Sequence, residues 1–305
     1  MTLVQMSPAD PTFHLALALR GDRGASAATW LDRIGAATAG MLDFVTLEDP
    51  LLDPTLLAAR LAPRTQGIGL VPAAVTSTTE PFLVSSAIAT LDFVTRGRAG
   101  WLVAQARPGA AEDDREAADH VEVVRRLWDS WEDDAIIRDA ATSRFLDRDR
   151  LHPVRFEGPS FSVLGPSITP RPPQGQALVV ARAGEGGAAG ADVVLVAEPE
   201  RDGAGASAAP GAAHRFADLT VSFDPAAAGY AGDPGALADR LLALRASGIT
   251  GARLAPADPE RDLDPITTEL TAALRERGAF RDRYAAPTLR GLLGLSRPAN
   301  RYATR

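Results

Sequence analysis

Short apolar runs alternate with amphipathic stretches along most of the chain at a spacing of roughly 30 residues, the pattern of a parallel sheet whose strands are covered by helices. FHLALAL (Phe13 to Leu19) opens the series, and Trp30, Ile34 and Ala37 give the next stretch, Thr29 to Ala39, one apolar face. DFVTLED (Asp43 to Asp49), QGIGLVPAAVT (Gln66 to Thr76) and WLVAQA (Trp101 to Ala106) read as the next strands, with helices over Pro54 to Leu61, Pro81 to Thr95 and Asp114 to Asp133. In the last helix Val121, Val124, Leu127, Trp128 and Trp131 recur at helical steps while acids and arginines fill the other face, which predicts core packing.

Residues 135–176 break this rhythm with short Pro-, Gly- and Arg-rich segments, too long for an ordinary loop, and predict an ordered excursion. Strands return at ALVVARA (Ala177 to Ala183), DVVLVAE (Asp192 to Glu198), DLTVSFD (Asp218 to Asp224) and GARLAP (Gly251 to Pro256), with helices over Pro234 to Ser247 and Asp264 to Arg277. Eight strand–helix units predict an α/β fold of the TIM (β/α)8 type in preference to an open doubly wound sheet. The whole chain, 1–305, then reads as a single barrel domain, with 135–176 an insertion at the barrel mouth after the fourth unit and 281–305 a C-terminal tail. Only GEGGAAGA separates the fifth and sixth strands, and the loop-like ERDGAGASAAPGAAHR the sixth and seventh. The helices after these strands are therefore shortened, and that side of the barrel thinly covered.

Composition narrows the chemistry. The chain contains no Cys, no Lys and a single Asn, Asn300. That excludes thiolate nucleophiles, Cys-ligated zinc, iron–sulfur clusters, Schiff-base lysines and a Walker-A lysine. With 32 basic residues against 39 acidic ones and a net charge of −7, the chain lacks the footprint of a nucleic-acid or anionic-membrane binder. The first residues carry no signal-peptide pattern and no apolar run is long enough to span a bilayer, so a cytoplasmic location is expected. The four histidines, His14, His120, His152 and His214, show no metal-ligand spacing. Ser26 and Ser207 lie in GASAA strings that lack the last Gly of a nucleophile elbow. Gly184, Gly186 and Ala189 form G-x-G-x-x-A, but the next strand follows at once and leaves no helix to face a pyrophosphate.

In a barrel, function collects at the C-terminal strand ends. Arg20, Glu48 and Asp49, Thr76 to Thr79, Gln105, Arg182 to Glu185 and Asp224 arrive there. The hydroxyl run TSTTEP reads either as ligand contacts or as the cap of the helix that begins at Pro81.

Several long strings, LDFVTLEDP, TEPFLVSSAIATLDFVTRGRAGW, ADHVEVVRRLWDSWEDDA, FEGPSFSVLGPSITPRPPQGQ and TLRGLLGLSRPANRYA, resemble the bacterial luciferase-like flavin monooxygenases in order and spacing. The resemblance covers roughly Met41 to Val180 and Pro287 to Ala303, and is to the branch of the nitrilotriacetate, dibenzothiophene sulfone and pristinamycin monooxygenases. It implies a TIM barrel and a two-component enzyme: a separate flavin reductase supplies reduced FMN, which with O2 oxygenates a small-molecule substrate. A deazaflavin is a less close alternative, and relatives commonly form a homodimer, for which the face around Val121 to Trp131 is available.

By resemblance, the cofactor-binding positions are Glu48 and Asp49 at the acidic end of the second strand, Thr76, Ser77 and Thr78 at the end of the third, Trp101 of GRAGW, Gln105, and the phosphate loop Ala183-Gly184-Glu185. His152 is the sole acid–base candidate, with no assigned mechanism. Arg144, Arg150, His152 and Arg155 either select an anionic substrate or form a solvated surface paired with Asp147 and Asp149.

The chain also departs from its relatives. Leu102 stands where many carry Asn, Thr78 and Leu83 where many carry His, and the segment after Arg107-Pro108-Gly109 is shortened. The phosphate loop has lost its Gly–Ser segment and its following helix, and Glu185 would repel a phosphate. Two functions therefore stand side by side: a flavin-dependent monooxygenase, or a barrel without flavin turnover that acts as a binding or accessory subunit and needs no cofactor.

Overall fold

The computed structural model describes residues 12–21, 25–197 and 211–303. Its centre is a closed, all-parallel barrel of the strands β1 (His14–Arg20), β2 (Phe44–Glu48), β3 (Gly69–Val75), β4 (Gly100–Ala104), β9 (Leu178–Arg182), β10 (Val193–Ala197), β11 (His214–Val221) and β12 (Gly251–Pro256). β1 pairs with both β2 and β12, so the first and last strands close the ring. The strands β5 (Ile136–Asp139), β6 (Arg144–Leu146), β7 (Phe156–Glu157) and β8 (Ser162–Val163) form two small antiparallel hairpins within residues 135–176.

Strand side chains alternate between two cores. Ala16, Phe44, Val71, Leu102, Val180, Leu195 and Phe216 pack inside the barrel, together with Leu289 and Leu293 from around the C-terminal helix α8 (Leu289–Leu292), which seals the N-terminal end. Leu15, Leu17, Val45, Leu47, Trp101 and Val103 face the helices instead.

Local signals explain the helix bounds. The helices α2 (Pro54–Leu61) and α3 (Pro81–Thr95) begin at a proline, whose missing N–H costs nothing in the first turn, and the Asp53 carboxylate caps α2 by accepting from Thr55 and Leu56. Ser26 caps α1 (Ala27–Ala39), and Asp233 caps α5 (Pro234–Ala243).

The helix α4 (Ala111–Asp129) starts and stops earlier than its apolar stripe predicts. Glu112, Asp113 and Asp114 favour its first turn through the helix dipole, while the Ser130 hydroxyl turns back onto the Leu127 carbonyl and Trp131 pairs with Leu151. The last long helix is α6 (Pro259–Pro265) continued by a π turn at Ile266–Leu270 and α7 (Thr271–Glu276), the π turn following the proline that lacks a helical donor.

After β9 the covering helix is replaced by the short 3-10 turn Gly186–Gly190, as the brief connection predicts. The end of the sixth predicted strand at Glu198, the serine Ser207 and most of the connection after the sixth strand lie outside the described residues. No helix among the described residues is long and apolar enough to cross a membrane.

Candidate active site

The C-terminal ends of β1 to β4 and the first turns of α2 and α3 enclose a cavity of about 800 Å³. Its lining includes the small residues Ala73, Ala74 and Ala104, together with Leu56, Leu83 and Thr78. Glu48 and Asp49 line one edge.

Glu48 belongs to a half-buried charge cluster, centred on the buried Arg253, that the inward positions of four strands assemble. The Arg253 guanidinium, 1% exposed, forks onto Asp218 at 2.8 and 2.7 Å, and donates to Glu48 Oε1 at 2.7 Å and to Thr46 Oγ1 at 3.1 Å. Arg182 donates to Glu48 Oε2 at 2.9 Å. Burial favours the neutral form of Glu48, but Arg253 and Arg182 outweigh it and hold the carboxyl below its ordinary range. Both oxygens are engaged, so Glu48 is a fixed negative charge and not a free proton acceptor.

Asp49 has a different task. Its Oδ1 accepts from the amides of Leu51 and Leu52 at 2.7 and 2.8 Å and so shapes the loop into α2. A Cβ added at Gly21 would lie 1.9 Å from Asp49 Oδ2, so only glycine allows this approach.

The hydroxyl run splits between two surfaces. Thr78 and Thr79 line the large cavity, and all of Thr76 to Thr79 line a neighbouring polar hollow of about 180 Å³. Thr76 and Thr78 donate back to the Ala104 and Val75 carbonyls at 3.4 Å, while the N-cap position of α3 is Glu80, whose side chain makes no cap bond. The capping alternative is thus not realised. His120, buried on α4, closes the hollow: its ring nitrogens lie 3.0 Å from the Glu116 and Thr79 carbonyls, and its edge meets Phe161.

The other predicted positions lie elsewhere. Trp101 is fully buried in the layer between sheet and helices, and does not line the cavity. Gln105 is buried and donates to the Asp114 carboxylate at 3.0 Å and to the Asp113 carbonyl at 3.3 Å, holding the start of α4. Ala183, Gly184 and Glu185 are also absent from the cavity wall. Beside them Gly186 N donates to Asp114 Oδ1 at 3.1 Å, and a Cβ at Gly186 would come within 1.6 Å of the Asp114 carbonyl. The Gly186 amide is therefore taken by a carboxylate, and burial pushes the Glu185 carboxyl upward.

His152 sits at the far end of α4, where it bonds Glu132 at 2.8 Å and stacks on Tyr302. Its amide bonds the Ser130 carbonyl, which puts it toward the N-terminal face of the barrel and away from the cavity. Arg150 pairs there with Glu132, Asp134 and Asp147. Arg144 and Arg155 are exposed and line no part of the large cavity. The insertion follows the flank of α3 and α4, and its tip, Ser160 and Phe161, reaches the small hollow but not the large cavity. The face from Val121 to Trp131 is buried in the protein's own core, so it offers no surface to a partner.

Sequence reasoning missed Arg253, Asp218 and His120. The signal for Arg253 was present: a charged residue at an inward position of the otherwise apolar GARLAP. Among the described residues no group of three or more His, Asp or Glu side chains could hold a metal ion.

The profile of a family described as luciferase-like monooxygenase matches residues 26–199. One of the subunits of pristinamycin IIA synthase from Streptomyces pristinaespiralis is 34% identical over 277 residues, 88% of this chain and 90% of that protein. The chain belongs to the luciferase-like monooxygenase family. Another similar protein, the nitrilotriacetate monooxygenase component of Aminobacter aminovorans, is 40% identical over 143 residues, which is 43% of this chain but only 32% of that longer protein. Among solved structures of this luciferase-like barrel, a riboflavin lyase crystallised with modified FMN and riboflavin superimposes with a TM-score of 0.78 at 20% identity, over 95% of this chain and 97% of that one.

Proposed function

We propose that the chain is the oxygenating component of a two-component monooxygenase, which takes reduced FMN from a separate flavin reductase and oxygenates a small organic substrate. The observation that carries this reading is the cavity of about 800 Å³ at the mouth, with alanines in its lining and the charged Arg20, Glu48 and Asp49 at the strand ends. It has the size and apolar character of a small-molecule site, and small side chains in its lining leave room for a flat ring. Reduced flavin, when bound, supplies the electrons that activate O2. Around it the protein would offer the buried Val84 as an apolar contact, and present Glu48 as a charge fixed in place by two arginines.

The alanine-lined wall supports a place for the ring, whereas the segment 183–186 offers a phosphate little, since Asp114 holds the Gly186 amide and the Glu185 carboxyl stands beside it. This supports a second reading, a subunit without flavin turnover. A further observation favours it: Leu51, Leu52, Leu56, Leu83, Phe93 and Val94 are exposed on α2, α3 and the loop leading into α2, a surface suited to another chain.

An anaerobic fluorescence titration with FMN, reduced FMN and riboflavin tests both. Saturable binding of the reduced ring at about 100 µM or below, followed by oxygenation when a reductase and NADH are added, is the expected outcome. Absence of binding by every flavin would leave the accessory subunit.

A further inference from the structure

A second cavity, of about 480 Å³, opens at the mouth between the ends of β1, β11 and β12. Its wall is almost wholly alanine and proline, with Ala18, Ala227, Ala228, Ala255 and Pro256 among its residues and Thr220 a polar exception. Arg20 and Gly21 line both this cavity and the larger one, so the two meet at the end of β1.

Arg20 is singular in this setting. It is exposed, and among the described residues its side chain makes no hydrogen bond and no ion pair. The carboxylates on neighbouring strand ends are committed elsewhere. Glu48, its register partner, gives both oxygens to Arg253 and Arg182, and Asp218 is forked by Arg253. Asp224 accepts from Arg261, and Asp49 holds the amides of Leu51 and Leu52. Among the described residues of the mouth, the Arg20 guanidinium is thus bonded to no carboxylate and acts on Glu48 only through space, beside a hollow that offers a ligand little but apolar contact. A guanidinium presents a flat fork of donors that matches a carboxylate, and gains strength when part of the water is removed.

We propose that Arg20 anchors the carboxylate of an organic acid whose apolar body lies in the cavity between β1, β11 and β12. The anchor itself stands on this geometry alone; that the acid is the substrate rests on the monooxygenase reading above. The role once open to Arg144, Arg150 and Arg155 thus passes to a residue at the mouth.

Octanoate and its neutral counterpart octanamide are the probes, titrated calorimetrically into the full chain without flavin. The wild type should bind octanoate about five-fold or more tighter than octanamide. Arg20→Gln should abolish the preference by weakening the acid alone, while Arg20→Lys should retain part of it. Since the Arg20 side chain has no hydrogen-bond or ion-pair partner within the described protein, both variants should melt with the wild type. Equal binding of the acid and the amide, an unchanged preference in R20Q, or no saturable octanoate binding at about 10 mM would overturn the proposal. A chain that binds flavin but shows no acid preference fails this inference alone; an acid preference without flavin binding fails the monooxygenase reading and leaves the anchor standing.

Discussion

Arg253 shows what a single charge does inside a barrel. It is enclosed by the strands yet joins Asp218, Glu48 and Thr46, and through Glu48 it fixes Arg182. Replacing it with methionine would keep much of the volume but leave Asp218 without its cation and Glu48 with Arg182 alone. Arg253→Met should therefore cost about 3 kcal/mol in urea unfolding, and weaken ring binding. The same cluster predicts an acid limb in the stability profile. Because the folded Glu48 carboxyl titrates below its ordinary value of 4.5, its contribution is intact above that value and is lost as pH falls through the depressed folded one. Glu48→Gln should flatten that limb. The acidic end of β2 was legible in LDFVTLEDP, but its partners were not: Arg253 and Asp218 are brought to Glu48 by barrel closure, across more than half the chain, and no local spacing encodes that.

At the scale of elements, legibility follows the strength of the local stop and start signals. α2 and α3 have the bounds their prolines and the Asp53 cap predict. α4 is displaced because charge in its first turn and a back-bonding serine decide its ends, not its apolar stripe. The segment after β9 was readable as too short for a helix, but its consequence lies in tertiary packing: the start of α4 moves in, and Asp114 occupies the amide of Gly186. This gives a prediction. Asp114→Asn removes a charge and loosens the lock, so FMN affinity should rise about five-fold relative to that of riboflavin, which has no phosphate to respond. Parallel fluorescence titrations of the two flavins measure this ratio; no change in it would show that the phosphate lies elsewhere.

For the whole molecule, the pattern of repeating units was sufficient for the barrel, and the exposed apolar side chains lie elsewhere than the sequence pattern placed them. The stripe on α4 is spent internally, whereas α2 and α3 carry apolar side chains outward, among them Leu56 at 71% and Leu83 at 59% exposure. An exposed stripe was not readable in α3, because a helix apolar on nearly every side gives no direction to its pattern. Association through this face should be broken by Leu83→Asp together with Phe93→Asp, with a fall from dimer to monomer in sedimentation; a wild type that already sediments as a monomer contradicts it.

The plug at the opposite end has a further bearing, on how the molecule comes into being. The barrel's floor is laid by Leu289 and Leu293, and its seam is the pairing of the first strand with the last. Both events wait for residues that leave the ribosome long after β1 has done so. The nascent chain must hold its opening strand, with one edge unpaired, until every other strand of the ring has been made, so the edge of β1 stays open to mispairing through most of translation.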